Sequence, residues 1–371
     1  MHKITYKYRI YPSKKQIATL HQTLDECRWL YNHLLEQRKI SWEERQESFS
    51  LYDQINTLSG LKKERPALNK VHSQVLQNVA VRIDLAFKAF FRRVRAGEKP
   101  GYPRFRGAGW YDSFTYPQVG FTINKDTVTL SKVGTVKAKI HRPAAMPKTC
   151  SVRRTSIGKW FISFSCEVED NPLPESEEAI GIDMGLESFA TLSTGEKIAN
   201  PRFFKTDEKK IAKTQRKLSK AEKGTTERKK AKKIVAHIHE KIANKRNDFA
   251  HQVSRQTINK FGIIAVEDLS INRMVHNHCL AKSISDAAWG QFTAYLAYKA
   301  ENAGRKFVAV NPSYTSQDCS GCGHRQKMPL STRTFTCPCC NLVLNRDHNA
   351  SINILALGLQ SLGSIPRSPG L

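Results

Sequence analysis

The stretch Ile180-Gly181-Ile182-Asp183-Met184-Gly185 sets one acid inside an apolar run. It follows a polar, Pro-containing segment over residues 171–178, so a new domain opens at Ala179. A short apolar run bounded by turn signals reads as a buried strand. A carboxylate there is costly unless it is paired, capped or bound to a metal. Working outward, Phe189-Ala190-Thr191-Leu192 reads as the second strand of a hairpin, with Ser193-Thr194-Gly195-Glu196 as its turn. The run Phe261-Gly262-Ile263-Ile264-Ala265-Val266-Glu267-Asp268 is a second buried strand ending in acids, and Lys306-Phe307-Val308-Ala309-Val310 is a third. Helical segments lie between them, over 205–260 and, around Trp289, over 285–303. Alternating strands and helices predict an α/β core.

Asp347 begins one more element, a helix over 347–358. Asp183, Glu267 and Asp347 therefore come from separate elements and can converge on two divalent ions. Oxygen-only ligands suit hard Mg²⁺ or Mn²⁺. Two such ions about 3.5–4 Å apart activate water and stabilise the leaving oxygen in phosphodiester cleavage. The alternative for each acid is a strand-end carboxylate or a salt-bridge partner. Asp268 competes with Glu267, because neighbours on a strand face opposite ways, and spacing leaves that choice open.

Ahead of Asp347 stand Cys319-x-x-Cys322 and, after fourteen residues, Cys337-x-x-Cys340. Two CxxC turns close a four-sulfur structural Zn²⁺ site. Cys339 adds a third thiol to the second pair, either as a free thiol or as a competing ligand. The x-x spacing of the first pair favours Cys337 and Cys340. Cys27, Cys150, Cys166 and Cys279 are scattered. That usage suits a reducing cytoplasm better than a disulfide framework.

The formal net charge is +27 over 371 residues. It implies an extended polyanionic partner, with nucleic acid first. An anionic membrane fits poorly, because the chain has no apolar run of spanning length and no lipidation signal. The first residues alternate like a strand and do not read as a signal peptide. Between 205 and 250 the acids are too few to balance the bases. That excess favours phosphate contact through counterion release, with Lys229, Lys230, Lys245 and Arg246 as candidates. His237, His239, His251, His276 and His278 lack metal spacing and read as surface or RNA-contacting residues.

In the N-terminal half, residues 3–10 read as a strand, and Ser13 caps a helix carrying Leu20, Leu24, Cys27, Leu30, Tyr31, Leu34 and Leu35 at helical spacing. Helices over 50–62 and 71–95 follow, and residues 113–170 switch to short β runs. This predicts a helical block inserted into an antiparallel β domain.

The ordered set of motifs resembles the TnpB (OrfB) family of IS200/IS605- and IS607-type insertion sequences, relatives of type V CRISPR nucleases. It comprises Gly181-Ile-Asp183-Met-Gly185, Val266-Glu267-Asp-Leu, Ser283-Ile-Ser-Asp286-Ala-Ala-Trp289-Gly290, Tyr314-Thr-Ser-Gln317-x-Cys319-x-x-Cys322-Gly323, and Cys337-x-x-Cys340 followed by Arg346-Asp347-x-Asn349-Ala350. Arg9-x-Tyr11-Pro12, Trp29-x-Tyr31-Asn32 and Gly101-Tyr-Pro103-x-Phe105 also fit, so the resemblance covers essentially the whole chain.

The resemblance implies a multidomain α+β chain. An N-terminal antiparallel β-barrel, or wedge (1–10 and 98–172), would carry an inserted helical recognition domain (11–97). An RNase H-like (RuvC) α/β domain (173–311 and 344–360) would carry an inserted zinc ribbon (312–343), and 361–371 would be a flexible tail. Asp183, Glu267 and Asp347 would be the catalytic, Mg²⁺-binding triad, which chooses Glu267 over Asp268. The partners would be a guide RNA from the transposon end and target double-stranded DNA, with no membrane, in a monomeric RNA complex in the bacterial or archaeal cytoplasm at the nucleoid. Base pairing would read the target, and the protein would read a short adjacent motif. Tyr52, Gln77 and Thr115 stand at the family's duplex-contacting positions, with ordinary surface residues as the alternative. Two other functions remain open at this stage: a DDE-type transposase acting on transposon ends without RNA, and an RNA-guided DNA-binding repressor that does not cut.

Overall fold

The computed structural model describes residues 2–144, 147–169, 172–329 and 331–363. They fall into two compact units, Met1–Glu169 and Asp170–Leu371.

In the first unit, strand β1 (His2–Tyr11) is followed by α1 (Lys14–Arg45), α2 (Leu51–Glu64) and α3 (Ser73–Arg95). Ser13 starts α1 with a reciprocal cap, its hydroxyl accepting from the Gln16 amide while Gln16 Oε1 accepts from the Ser13 amide. Leu20, Leu24, Leu30 and Leu34 then recur on one face and are buried. Each contributes about 1.5–3 kcal/mol by leaving water. The chain returns through β2 (Ser113–Tyr116), β3 (Phe121–Ile123), β4 (Thr127–Leu130), β5 (Gly134–Lys139), β6 (Pro147–Arg154) and β7 (Trp160–Val168). These strands form one antiparallel sheet in the order β2-β6-β7-β1-β5-β4-β3. Three helices thus sit between β1 and the strands it joins. Among the described residues no ladder links edge strands β2 and β3, so backbone bonding does not close the expected barrel. Side chains meet instead, with the Tyr116 and Phe121 rings 6.5 Å apart.

The second unit opens with β8 (Ala179–Asp183), β9 (Ser188–Leu192) and β10 (Lys197–Ala199). Two basic helices, α4 (Phe203–Lys220) and α5 (Thr226–Lys260), lead to β11 (Ile263–Glu267). The short α6 (Ile271–Met274), then α7 (Ala281–Ala287), α8 (Trp289–Asn302) and β12 (Lys306–Val310), follow. A small hairpin of β13 (Thr334–Thr336) and β14 (Val343–Asn345) runs into α9 (Arg346–Ser361). The main sheet has the order β10-β9-β8-β11-β12. Strands β8, β11 and β12 are parallel, β9 pairs antiparallel with β8, and β10 pairs antiparallel with β9.

Two sequence expectations change here. The single helix read over 285–303 is broken at Ala288, which adopts φ 56°. No Gly or Pro stands at Ala288 itself, and Gly290 lies two residues on, inside α8. On the near side of the break Asp286 reaches the start of α4, and on its far side Trp289 turns into the core, 2% exposed. Helix α9 also outlasts the expected 347–358, running to Ser361. The rest of the tail read over 361–371 lies, from Ser364 on, outside the described residues.

Candidate catalytic carboxylates and a tetra-cysteine site

Strand pairing brings the first two acids together. Ile182 lies beside Val266 in the parallel register of β8 and β11. One step on, Asp183 and Glu267 occupy neighbouring strand ends, spaced at the roughly 4.8 Å of adjacent strands. Asp268, the competing acid, points the other way and is exposed, whereas Glu267 is 8% exposed. The third acid arrives by helix packing. Gly181 has no side chain, and a β-carbon there would meet Ser351 O at 2.1 Å and Leu355 N at 2.7 Å. A β-carbon on Gly358 would likewise meet the Ala265 β-carbon at 2.5 Å. Helix α9 therefore rests directly on β8 and β11, with Asp347 in its first turn. Asn345 caps that turn, its Oδ1 accepting from the amides of Asp347 and His348.

The electrostatics of the acids follow from this placement. Burial raises the Asp183 carboxyl well above its ordinary value, and the charges of Glu267 and Asp347 push the same way, against Arg346. Burial also raises Glu267, opposed by a hydrogen bond from Thr315. Such mutual repulsion in a desolvated place is what a bound cation relieves. Among the described residues, the acids do not form a set whose ligand atoms all lie within 4.8 Å. The donor set, all oxygen and anionic, fits Mg²⁺ or Mn²⁺.

The four cysteine sulfurs do form a tight set. Cys319, Cys322, Cys337 and Cys340 offer Sγ atoms that all lie within 4.8 Å of one another. Sulfurs of Cys319 and Cys340, and of Cys322 and Cys337, are 3.5 Å apart. Burial works to raise the Cys337 thiol, but hydrogen bonds from the backbone amides of Cys340 and Cys339 and from the Cys322 and Cys319 side chains together outweigh it and bring it down to about 6, while the Cys322 and Cys340 thiols shift upward. A four-sulfur cluster of this kind fits a structural zinc site. Cys339 is exposed and outside the cluster.

Three further side chains, not assigned a role from sequence, tie this cluster to the acids. Thr315 donates to Glu267 Oε1 at 2.6 Å. Asn353 Nδ2 donates to the carbonyls of Thr315 (2.8 Å) and Asp318 (2.7 Å). Asn349, fully buried, donates to Asp318 O and accepts from the Ser320 amide. The sequence signal was present, in the Tyr-Thr-Ser-Gln run and the Asn-rich start of α9, but its partners were not visible.

The nucleic-acid candidates separate. Lys229 and Lys230 are exposed at the start of α5, and Lys245 is half-buried beside the Phe203 ring. Arg246 corrects the reading: its guanidinium is committed to Asp286 at 2.7 and 3.0 Å, and the same carboxylate accepts the Phe204 amide that opens α4. It is a structural ion pair rather than a free phosphate contact. Within the basic segment read over 205–250, a groove runs along α4, where Lys205, Lys209, Lys213, Arg216, Lys217 and Lys220 share one face. In the first unit, Tyr52 is 76% exposed and Gln77 is exposed. Thr115 is engaged, its hydroxyl bonded to Arg82 and Ser151. Among the described residues no helix is long and apolar enough to cross a membrane.

Comparison with known proteins points one way. Residues 163–278 match the OrfB_IS605 family model, described as "Probable transposase", and residues 289–354 match a "Cas12f1-like, TNB domain". Residues 1–47 match a model described as a helix-turn-helix domain. The described residues there form one strand and one long helix. A "Putative RNA-guided DNA endonuclease" of Streptomyces pristinaespiralis is 37% identical over 366 residues, covering 96% of this chain and 90% of that protein. Escherichia coli K12 has a "Putative RNA-guided DNA endonuclease InsQ" that is 30% identical, covering 95% and 92%. In fold, the chain resembles the Cas12f1 protein solved with sgRNA and target DNA, at TM-score 0.57 and 16% identity over 92% of this chain and 82% of that one.

Proposed function

We propose, since this chain belongs to the TnpB (OrfB) family of RNA-guided DNA endonucleases, that it uses a guide RNA from its transposon end to cleave double-stranded DNA beside a short motif. The observation that carries the reading is the convergence of Asp183, Glu267 and Asp347 at one end of the β8–β11 pair. The strand order, 3-2-1-4-5 with the central strand bearing Asp183, supports an RNase H-like (RuvC) nuclease domain over 173–311 and 344–360. Residues 312–343 would be its zinc ribbon. The first unit would be the motif-reading wedge with its recognition helices, using Tyr52 and Gln77, and the complex would contain one copy of the chain.

The three acids would hold a pair of Mg²⁺ ions, which supply Lewis acidity to the attacking and leaving oxygens of the scissile phosphate. The chain's own contribution is placement. Strand register fixes Asp183 against Glu267, the cap at Asn345 fixes Asp347, and Thr315 holds one Glu267 oxygen. The basic face of α4 and the exposed lysines of α5 would track nucleic-acid phosphates.

The test is expression beside the native flanking DNA, sequencing of any co-purified RNA, and cleavage of a plasmid matching that RNA's 3′ end. A defined RNA whose reprogramming moves the cut is expected. Asp183→Ala should end cleavage and leave RNA binding intact. Cutting of transposon ends without RNA would favour the transposase reading, and binding without cutting the repressor reading.

A further inference from the structure

Thr315 and Glu267 are both buried, 4% and 8% exposed, and sit on different elements 48 positions apart. Thr315 has one hydroxyl hydrogen. Its Oγ1 lies 2.6 Å from Glu267 Oε1 and 3.2 Å from the Pro312 carbonyl. The nearer, anionic acceptor takes the hydrogen, because charge-assisted bonds are the shorter and stronger ones. Bound in this way, Glu267 cannot rotate freely, and its second oxygen has a fixed direction.

The segment that carries Thr315 is itself held along its length. Asn353 clasps the carbonyls of Thr315 and Asp318, and Asn349 grips Asp318 O and the Ser320 amide. Both asparagines belong to the helix that begins with Asp347. The next residue in the strap, Cys319, is the first thiol of the tetra-cysteine cluster. One short segment thus connects the thiol cluster, the helix of the third acid and the carboxylate of the second.

We infer that Thr315 is a positioning residue for the carboxylate site, acting through Glu267 to set the direction of its metal-binding oxygen, with the 315–320 strap as its rigid mount. The inference rests on the assignment of Glu267 to the metal site. Outer partners of ligating carboxylates typically matter about 10–100-fold in metal affinity or activity.

The experiment uses the full-length, zinc-loaded chain and Mn²⁺ as probe, with free Mn²⁺ counted by electron paramagnetic resonance. Wild type, Thr315→Val, Thr315→Ser and Glu267→Gln are titrated side by side, and zinc content and circular dichroism are recorded for each. Thr315→Val should weaken Mn²⁺ binding by about 10–100-fold while keeping its zinc and its helical signal. Thr315→Ser, which retains the donor, should recover most of the affinity. In the guide-RNA complex, the half-saturating Mg²⁺ for cleavage should rise in step. Wild-type Mn²⁺ affinity in Thr315→Val overturns the inference, as does loss of zinc together with affinity, since that is collapse of the knuckle. If Thr315→Val does not fold, Thr315→Ala removes the same donor and is read by the same criteria. Wild-type Mn²⁺ binding by Glu267→Gln would instead remove the underlying site assignment, an outcome visible whatever the Thr315 variants do.

Discussion

A β-carbon on Gly181 would lie 2.1 Å from the carbonyl oxygen of Ser351. Strand β8 and helix α9 therefore touch backbone to backbone, and the distance between Asp183 and Asp347 follows from that contact. Gly181→Ala must push the helix off the strand. It should cost at least the roughly 1–3 kcal/mol of an overpacked core, read as a lower urea midpoint. A midpoint equal to wild type would show that α9 does not rest there.

Asp183 makes the metal-free protein sensitive to pH in a definite direction. Its folded-state carboxyl is raised above the unfolded value by burial and by Glu267 and Asp347. Between the two values the folded state holds a proton that the unfolded state has lost, so this group's contribution falls as pH rises through that window. Asp183→Asn should therefore melt higher than wild type in zinc-loaded protein free of Mg²⁺ at neutral pH, with the gap closing toward acid. Added Mg²⁺ should raise the wild-type melting temperature more than the variant's. A variant that melts lower at neutral pH in zinc-loaded, Mg²⁺-free protein would contradict the burial argument.

Arg246 and the Lys229–Lys230 pair should fail differently. Arg246→Ala strands the buried Asp286 carboxylate and should cost about 3–5 kcal/mol of stability, seen by thermal melting of the free protein. Lys229→Ala/Lys230→Ala should leave stability nearly unchanged. It should flatten the plot of log affinity against log salt for RNA by about 1.4–1.8, two phosphate contacts' worth. An unchanged slope would remove those lysines from the interface.

The thiols make a similar contrast. Cys337→Ser should lose zinc, measured as metal per chain, because Cys337 is one of the four clustered sulfurs. Cys339→Ser should keep it. Equal zinc loss in both would mean that the second pair uses a different register.

What could be read from the sequence was what is local. The strand of Asp183 announces itself by an acid in an apolar run, and the thiol cluster by the spacing of two CxxC turns. The choice of Glu267 over Asp268 was not local: strand parity set them on opposite faces, and only packing shows which face is buried. The residue at the break, Ala288, is neither Gly nor Pro, so periodicity ran through it. Arg246 looked like one more base in a basic helix because its partner, Asp286, lies forty positions away. Thr315 was quoted within a motif, yet its bond to Glu267 exists only once β11 and the strap have docked.

The hairpin and its four thiols occupy the whole connection between β12 and α9, residues 311–345. Left as an open loop, that connection would deliver α9 to the sheet at an effective concentration set by a long flexible tether. A metal joining Cys319 to Cys340 would shorten the free part to residues 311–318 on one side and 341–345 on the other. Such an ion would act at a distance as an entropic device: it would raise the local concentration of the helix bearing Asp347 without touching that carboxylate. Chelation would be felt first as fraying of α9 from β8, and the carboxylate site would come apart while the rest of the sheet stayed folded.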